Sequence, residues 1–222
     1  MSRYFNYFPS TYYTSGANNV TSLDVVTNIL TRFGFEASIK ENSAGFYPYQ
    51  IKDTDTPETI ASKFYGDSEK HWVVLLFNDI IDPQYDWPLS YNNFITYVDK
   101  KYQGSEYANS NVQYAGVNWA QNDNHVHSYY KLNTRTTNAN VIDKKTIVEK
   151  IQIDANAYAN VSVTTTQYTL QNGTVITESI SKEKKTYYEY EMDLNENKRS
   201  IKLLKPEFVD IVFSEFKAVI SQ

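Results

Sequence analysis

The segment from Thr56 to Asp67 constrains the fold more than any other, because it carries both a helix start and a helix stop. Thr56 can cap the first turn with its hydroxyl, and Pro57 falls at the first helical position, where its missing N–H costs nothing. Gly66 can adopt the left-handed conformation that ends a helix without a Cβ clash. A short helix is therefore predicted. Its apolar face consists of Ile60, Ala61 and Phe64.

Three further elements surround this helix in the sequence. Ser68 can cap a second helix, Glu69 to Phe77, which is apolar nearly all round, as expected of a buried segment. Phe46 to Ile51 is rich in aromatic residues and predicts a strand that feeds the two helices. Ser90 can cap a third helix. The apolar face of that helix follows helical spacing and consists of Tyr91, Phe94, Ile95, Val98 and Tyr102.

This order of motifs resembles the LysM module, which has a strand-helix-helix-strand fold. The residues that carry the resemblance are Tyr49, Ile51, Asp53-Thr54-Asp55-Thr56, Ile60-Ala61, Phe64-Tyr65-Gly66-Asp67, Trp72, Asn78 and Asp82-Pro83. The continuation differs, because Trp87-Pro88-Leu89-Ser90 leads into the third helix. Glycan-binding LysM repeats have a Gly-containing turn and a final strand at that place.

The whole combination, closed by Lys101-Tyr102, is similar to the small LysM-like baseplate wedge subunit of contractile-tailed bacteriophages of the T-even type. The resemblance is strongest over residues 47 to 102. It implies a structural protein, without enzymatic activity or cofactor, that helps to join wedges into a six-fold plate around the tail tube. It also implies contacts with the larger wedge proteins and the small sheath-initiator protein, several copies per baseplate, and a place in the virion tail after assembly in the host cytoplasm.

The flanking segments give weaker signals. Thr21 to Phe33 has near-helical apolar spacing with Ser22 as a possible cap, although Val25-Val26-Thr27 would also suit a strand; we favour the helix. Ala37 to Ala44 is polar and predicts a connection. His125 to Leu132 alternates like a strand, and residues 161–180 predict a hairpin that turns at Gln171-Asn172-Gly173.

Near the C-terminus, Tyr187 to Met192 could be extended or helical, Arg199 to Leu204 could be extended, and Pro206 can start an amphipathic helix. We therefore expect an α+β fold with a LysM-like core, an extra helix and a β-rich C-terminal half. The predicted parts are an N-terminal aromatic arm with a connecting segment (1–46), a LysM-like domain (47–102), a β-rich insertion (103–185) and a C-terminal strand and helix (186–222).

Composition and motifs argue against several other classes of function. The net charge of −5 and the lack of a basic tract argue against nucleic-acid binding. With no cysteine, disulfides and cysteine-based metal sites are excluded, and the chain suits a reducing compartment. No apolar run approaches transmembrane length, and no segment resembles a signal peptide, so no membrane partner is expected.

The titratable candidates for chemistry are few. His125 and His127 with Asp123 could offer metal ligands, but no third spaced ligand is evident and we predict no metal site. The acidic residues Asp53, Asp55 and Asp67 occupy positions typical of turns and caps. No catalytic residue is predicted, because no phosphate loop, nucleophile elbow or His-Glu-x-x-His motif occurs.

Partner contact is the function that remains, and aromatic surfaces are its candidates. The loop with Tyr85, Trp87 and Pro88 is predicted to be too short to bury its own side chains. The aromatic N-terminal arm must dock on this chain or a neighbour. The C-terminal helix has an apolar stripe that could contact a partner, with coverage of the protein's own core as the alternative. The predicted contacts are Tyr85, Trp87, Pro88, Tyr4, Phe5, Phe8, Phe208, Val212 and Phe216.

A second hypothesis is a LysM-type module that binds peptidoglycan or another glycan. Trp72 and Trp87 could stack on sugars, although Trp72 lies in an apolar helix and suits a core position. Asp53-Thr54-Asp55-Thr56 also replaces the usual Gly-Asp-Thr of the first sugar-binding turn. This replacement and the third helix that follows Trp87-Pro88-Leu89-Ser90 are departures from glycan-binding LysM repeats, and both disfavour this hypothesis.

Overall fold

A computed structural model describes residues 6–13, 24–30, 33–104, 112–138 and 144–220. The strands there are β1 (Ser10–Tyr13), β2 (Asp24–Thr27), β3 (Phe46–Gln50), β4 (Val126–Asn138), β5 (Lys144–Ile153), β6 (Thr164–Thr169), β7 (Val175–Thr186) and β8 (Ser200–Leu204). The helices are α1 (Ala37–Glu41), α2 (Pro57–Tyr65), α3 (His71–Phe77), α4 (Pro83–Asp86), α5 (Tyr91–Tyr102), α6 (Ala115–Gln121), α7 (Ala155–Asn160), α8 (Tyr187–Asn197) and α9 (Pro206–Ile220). This mixture confirms the α+β class.

The chain divides into two compact units. The first comprises Met1–Ser90 and Asn195–Gln222, and the second comprises Tyr91–Leu194. The second unit is therefore an insertion in the sequence of the first. The four-part division expected from the sequence stays a prediction, because compact units need not be separately folding domains.

Helix α2 forms as the sequence predicts. The Thr56 hydroxyl accepts a hydrogen bond from the Thr59 N–H at 3.2 Å, and the Thr59 hydroxyl oxygen accepts one from the Thr56 N–H at 2.8 Å. Gly66 ends the helix with φ of +70°. Ile60 and Ala61 are buried, so the helix is held by its caps and by one apolar face.

Helix α3 begins later than predicted and has a different cap. A 3₁₀ turn, Ser68–Lys70, precedes it, and the Asp67 carboxylate rather than Ser68 caps that turn by accepting the Glu69 N–H at 2.9 Å. Aspartate caps as well as serine does, so the residue type alone could not decide between them. The predicted burial is confirmed for four residues of the helix, namely Trp72, Val73, Val74 and Phe77.

The strand predicted over Phe46 to Ile51 is β3, and its partner lies 150 residues further along the chain. β3 pairs antiparallel with β8, in a register that runs from Phe46↔Leu204 to Gln50↔Ser200. Ile201 and Leu203 of β8 are buried against Ile60 and Val74 of the two helices. The first unit therefore contains a strand-helix-helix-strand core whose last strand follows the insertion.

Two predictions for the flanks are wrong. Asp24–Thr27 is a strand paired with β1, so the alternative to the helix over Thr21 to Phe33 holds there; Ser22 lies outside the described residues. The stretch Ala37 to Ala44, predicted as a connection, contains α1 and the start of the 3₁₀ turn Ser43–Gly45. Pairing with β1 decides the conformation of β2, and periodicity within one segment cannot report it.

The second unit contains an antiparallel sheet in the strand order β5-β4-β7-β6. The predicted hairpin is confirmed, with Gly173 at φ of +83° in the turn between β6 and β7. The predicted strand after His125 is β4. Helix α5 buries Phe94, Val98 and Tyr102, while Tyr91 is exposed.

Candidate partner interfaces

The first candidate surface is the N-terminal ribbon, which consists of β1, β2 and the residues up to Leu30 that follow β2. Tyr12 is 72% exposed and Leu30 is 85% exposed. The other exposed apolar side chains of the ribbon are Tyr13, Val25, Val26 and Ile29. Asp24 is the one charged residue among residues 10–13 and 24–30. A patch of neighbouring, uncharged, exposed apolar residues is typical of an interaction site.

The residues just before the ribbon are packed on their own unit. The Tyr7 ring lies 5.3 Å from the Phe213 ring, edge to face, and Phe8 lies 6.1 Å from Phe216. The Lys217 ammonium lies 4.7 Å from the Tyr7 ring. The arm was expected to dock either on this chain or on a neighbour. Tyr7 and Phe8 dock on this chain. Tyr4 and Phe5 lie outside the described residues.

The second candidate surface lies around α4. The three predicted contact residues there, Tyr85, Trp87 and Pro88, differ in exposure. Tyr85 is 67% exposed. Pro88 is buried, and Trp87 packs against the core around Ile51 and donates its indole N–H to the Asp55 carbonyl at 3.3 Å. The expectation that this loop is too short to bury itself therefore does not hold for Trp87 and Pro88. Their assignment to a partner contact has no support from exposure.

Polar contacts from the C-terminal segment hold this loop down. The Asn195 side chain accepts the Leu89 N–H at 2.7 Å and donates to the Leu89 carbonyl at 3.1 Å. The Arg199 guanidinium also donates to the Leu89 carbonyl at 3.1 Å. Arg199 forms ion pairs with Asp53 at 2.6 Å and Glu196 at 2.8 Å, which raise its pKa although burial opposes them. These contacts fix the position of the loop that carries Tyr85.

Sequence reasoning missed one residue of this surface. Ile81 is 82% exposed beside α4, and together with Tyr85 it gives the loop an apolar outer side. The available signal was the pair Ile80-Ile81 between two helices, in which only Ile80 is buried. Of these two adjacent apolar residues, the structure buries Ile80 and leaves Ile81 exposed.

The third candidate surface is the outer face of α9. The predicted apolar stripe divides: Val209, Phe216 and Ile220 are buried, and Val212 and Phe213 pack at the edge of the same core. The alternative of core coverage therefore holds for Phe216 and largely for Val212. Phe208, by contrast, is 37% exposed. The exposed apolar residues of the helix are Phe208, Ile211 and Val219.

The comparisons with known proteins identify the family. Residues 3–219 match the family model described as base plate wedge protein 53. The chain belongs to this family. It is also 38% identical over 64 residues to the baseplate wedge protein gp53 of Enterobacteria phage T4, and this match covers 29% of this chain and 29% of the relative. As a member of this family, the protein is a structural protein of a phage tail baseplate.

His125 and His127, the two histidines considered as metal ligands, are packed against aromatic rings. His125 stacks on Trp119 with ring centroids 4.2 Å apart, and its Nδ1 lies 2.8 Å from the Trp119 carbonyl. His127 stacks on Tyr190 at 3.6 Å. Within the described ranges, no group of three or more potential ligands converges as a metal site would require. Among those same residues, no helix combines the length and apolar character needed to cross a bilayer.

The acidic residues Asp53, Asp55 and Asp67 occupy the turn and cap positions predicted for them. The Asp55 carboxylate accepts the Tyr49 hydroxyl at 2.7 Å and the Lys52 N–H at 2.9 Å. Burial would raise the pKa of Asp55, but these two hydrogen bonds and the charges of Lys63 and Lys52 together outweigh it and lower the pKa. Burial and the bond to Asp55 raise the pKa of Tyr49 to about 12. These groups close the turn between β3 and α2.

Proposed function

We propose that the protein joins wedge proteins to one another and neighbouring wedges into the six-fold baseplate. The observation that carries the proposal is the N-terminal ribbon, a pair of four-residue strands with exposed apolar side chains and Asp24 as its one charged residue. An isolated two-stranded ribbon is at best marginally stable in water. Its stability in the virion would come from a partner that covers it.

The partners in this proposal are other baseplate wedge proteins and the sheath-initiator protein, with several copies of the subunit per baseplate. The exposed residues Tyr85, Ile81 and Phe208 would contribute smaller contacts in addition to those of the ribbon. No catalytic, nucleic-acid or membrane role forms part of the proposal. Assembly would take place in the host cytoplasm, before the tail is complete.

We also propose that the core of the first unit is a LysM-like module. The order β3-α2-α3 matches the strand-helix-helix part of that fold. The final strand, which the sequence lacks after α3, would be β8, because β8 pairs antiparallel with β3 and packs on the same helices. An insertion between the last helix and the last strand leaves such a module intact if its ends stay close together.

No observation favours the glycan-binding alternative. Trp72 is buried in the core, and Trp87 is packed with its indole N–H bonded to the backbone. Asp53 is paired with Arg199, and Asp55 is bonded to Tyr49. The side chains that could stack on a sugar or bind its hydroxyls are therefore used within the chain.

The experiment that tests the joining role is co-expression with the wedge proteins of the same phage, followed by size-exclusion chromatography. The double variant Tyr12→Ser/Val25→Ser removes the centre of the ribbon. Since interface centres lose about 2 kcal/mol or more on truncation, we expect assembly about thirtyfold weaker. The thermal unfolding midpoint should stay unchanged, because both side chains are exposed.

Val148→Ser is the matched control, since Val148 is an exposed apolar residue of β5 in the second unit. It should leave assembly unchanged. Wild-type assembly by the Tyr12→Ser/Val25→Ser variant would contradict the proposal. Equal loss in the control would show a general effect of reduced surface hydrophobicity, and would contradict it as well.

A further inference from the structure

The outer edge of β6 is an unprotected strand edge. β6 pairs with β7 in a register from Thr164↔Ile180 to Thr169↔Val175 and is the last strand of its sheet. Leu170 fixes which backbone groups face β7, since its N–H donates to the Thr174 carbonyl at 2.8 Å. In an antiparallel pair the groups that face the partner alternate along the strand. The N–H and C=O groups of Thr165, Gln167 and Thr169 therefore point away from β7.

β6 lacks the features by which proteins usually block such an edge. Those features include proline, lysine and other charges, and bulges. All six residues of β6 are exposed, and the strand has no charged residue, proline or glycine. The opposite edge strand of the same sheet, β5, carries several charges. These are Lys144, Lys145, Glu149 and Lys150.

We propose that an extended, uncharged segment of a neighbouring wedge protein adds to the outer edge of β6 as a further strand. This inference rests on the proposed function, because it requires the subunit to assemble with other wedge proteins. Thr165, Gln167 and Thr169 each offer one donor and one acceptor, at a spacing of two residues, which an extended backbone matches. The side chains of β6 that would flank the added strand are all uncharged, so a charged side chain there would gain no ion pair from β6.

One face of β6 adds a reason for side-chain selectivity. Thr164 and Thr166 line an open cleft of about 380 Å³ whose other lining residues include Ile147 and Ile180 and the charged residues Arg135, Glu149 and Glu178. Those charges have partners within the sheet, since Arg135 pairs with Glu178 at 3.6 Å and Asn133 donates to Glu149 at 3.0 Å. Side chains of an added strand alternate between the two faces, so every second one would lie beside this cleft. We expect small, uncharged residues at those positions of the added segment.

Residue-resolved hydrogen–deuterium exchange distinguishes the bound edge from the free edge. In the isolated protein, the amides of Thr165, Gln167 and Thr169 should exchange fast, while those of Thr164, Thr166 and Tyr168 are protected by β7. In purified baseplates the first three amides should exchange at least about tenfold more slowly, as expected for new backbone hydrogen bonds. Unchanged exchange in baseplates that contain the subunit would overturn the inference and leave the proposed function standing.

A proline pair provides the matched variants. Gln167→Pro removes only an outward N–H, so β6 should stay paired with β7 while Thr165 and Thr169 lose protection in the baseplate. Gln167→Thr keeps the N–H and should behave like the wild type. Thr166→Pro removes an inward N–H and should unfold the hairpin. Undiminished protection of Thr165 and Thr169 in Gln167→Pro baseplates would overturn the inference.

The occupant can be identified because the chain has no cysteine. A Gln167→Cys variant can be cross-linked in baseplates with a short thiol-reactive reagent, and the linked peptide identified by mass spectrometry. An uncharged segment of another wedge protein supports the inference, and a charged segment overturns it. Protection that arises in the isolated protein together with a dimeric mass would show self-pairing and overturn the assignment of the partner. Absence of the subunit from purified baseplates would overturn both the inference and the proposed function.

Discussion

The β3–β8 sheet of the first unit and the four-stranded sheet of the second unit differ in how their strand edges are protected. The β3–β8 sheet is blocked near the middle of both edges. Pro48 stands in the middle of β3 at a position whose backbone faces outward, so no N–H is offered there. On β8, the Asn78 side chain bonds both backbone groups of Lys202, each at 2.8 Å. The four-stranded sheet of the second unit leaves the edge of β6 open.

Side-chain burial is also greater in the β3–β8 sheet than at the edge strand β6. Ile201, Leu203 and Leu204 of β8 are buried, whereas every residue of β6 is exposed. The first sheet is therefore stabilised by its side chains, and the second depends more on its backbone ladder and cross-strand pairs. A closed sheet suits a folded anchor, and an open one suits a surface that a partner completes.

The largest effect should follow from opening the core of the first unit. Phe216 is fully buried and lies 4.8 Å from the Trp72 ring and 5.4 Å from the Phe33 ring. Phe216→Ala leaves a cavity, so we expect the free energy of unfolding to fall by about 3–5 kcal/mol in urea denaturation. Val219→Ala, on the exposed side of the same helix, should cost less than about 1 kcal/mol. Equal losses would mean that side-chain burial does not hold this unit together.

A smaller effect should follow from opening the edge of β8. Asn78→Ala removes the hydrogen bonds to both backbone groups of Lys202 and to the Val74 carbonyl. Buried polar groups that lose their partners are costly, so we expect a loss of about 2 kcal/mol in urea denaturation. The matched control is Asn92→Ala at an exposed helix position, which should change stability by less than about 0.5 kcal/mol. A neutral Asn78→Ala variant would refute the idea that this side chain closes the edge.

The smallest effect should be the pH dependence of the turn after β3. Because the folded-state pKa of Asp55 is lowered, its carboxylate contributes stability above the unfolded value of 3.8, and this contribution is lost as the pH falls through the folded value. Asp55→Asn cannot titrate there. The wild type should therefore lose more stability than Asp55→Asn when urea denaturation is repeated from about pH 5 down to about pH 3. Parallel pH profiles would show that the carboxylate adds nothing as a charge.

The local elements that the sequence predicted well carry their signals within a few residues. Thr56, Pro57 and Gly66 define α2, and Asn172-Gly173 defines the hairpin of the second unit. The cap of the next helix was misassigned because Asp67 and Ser68 are adjacent and equally suitable. The strand β2 was missed because pairing with β1 decides its conformation.

The candidate interfaces were predictable only in part. The aromatic residues Tyr85, Trp87 and Pro88 are equivalent in the sequence, yet only Tyr85 is exposed, because Asn195 and Arg199 hold the loop against the core. The stripe of α9 had the right composition, but its width did not reveal which residues face inward. Ile81 and Ile211 are exposed apolar residues that periodicity alone did not single out.

The sequence by itself determined the boundaries of α2, the hairpin turn, the α+β class and the resemblance to a baseplate wedge family, because each depends on neighbouring residues or on a run of motifs. Only the tertiary structure decided that β8 completes the strand-helix-helix core, which side chains remain exposed, and which strand edge is open. These features depend on contacts between segments as far apart as Phe46 and Leu204. Pairing over such distances is selected by the packing of the whole unit, and no local pattern encodes it.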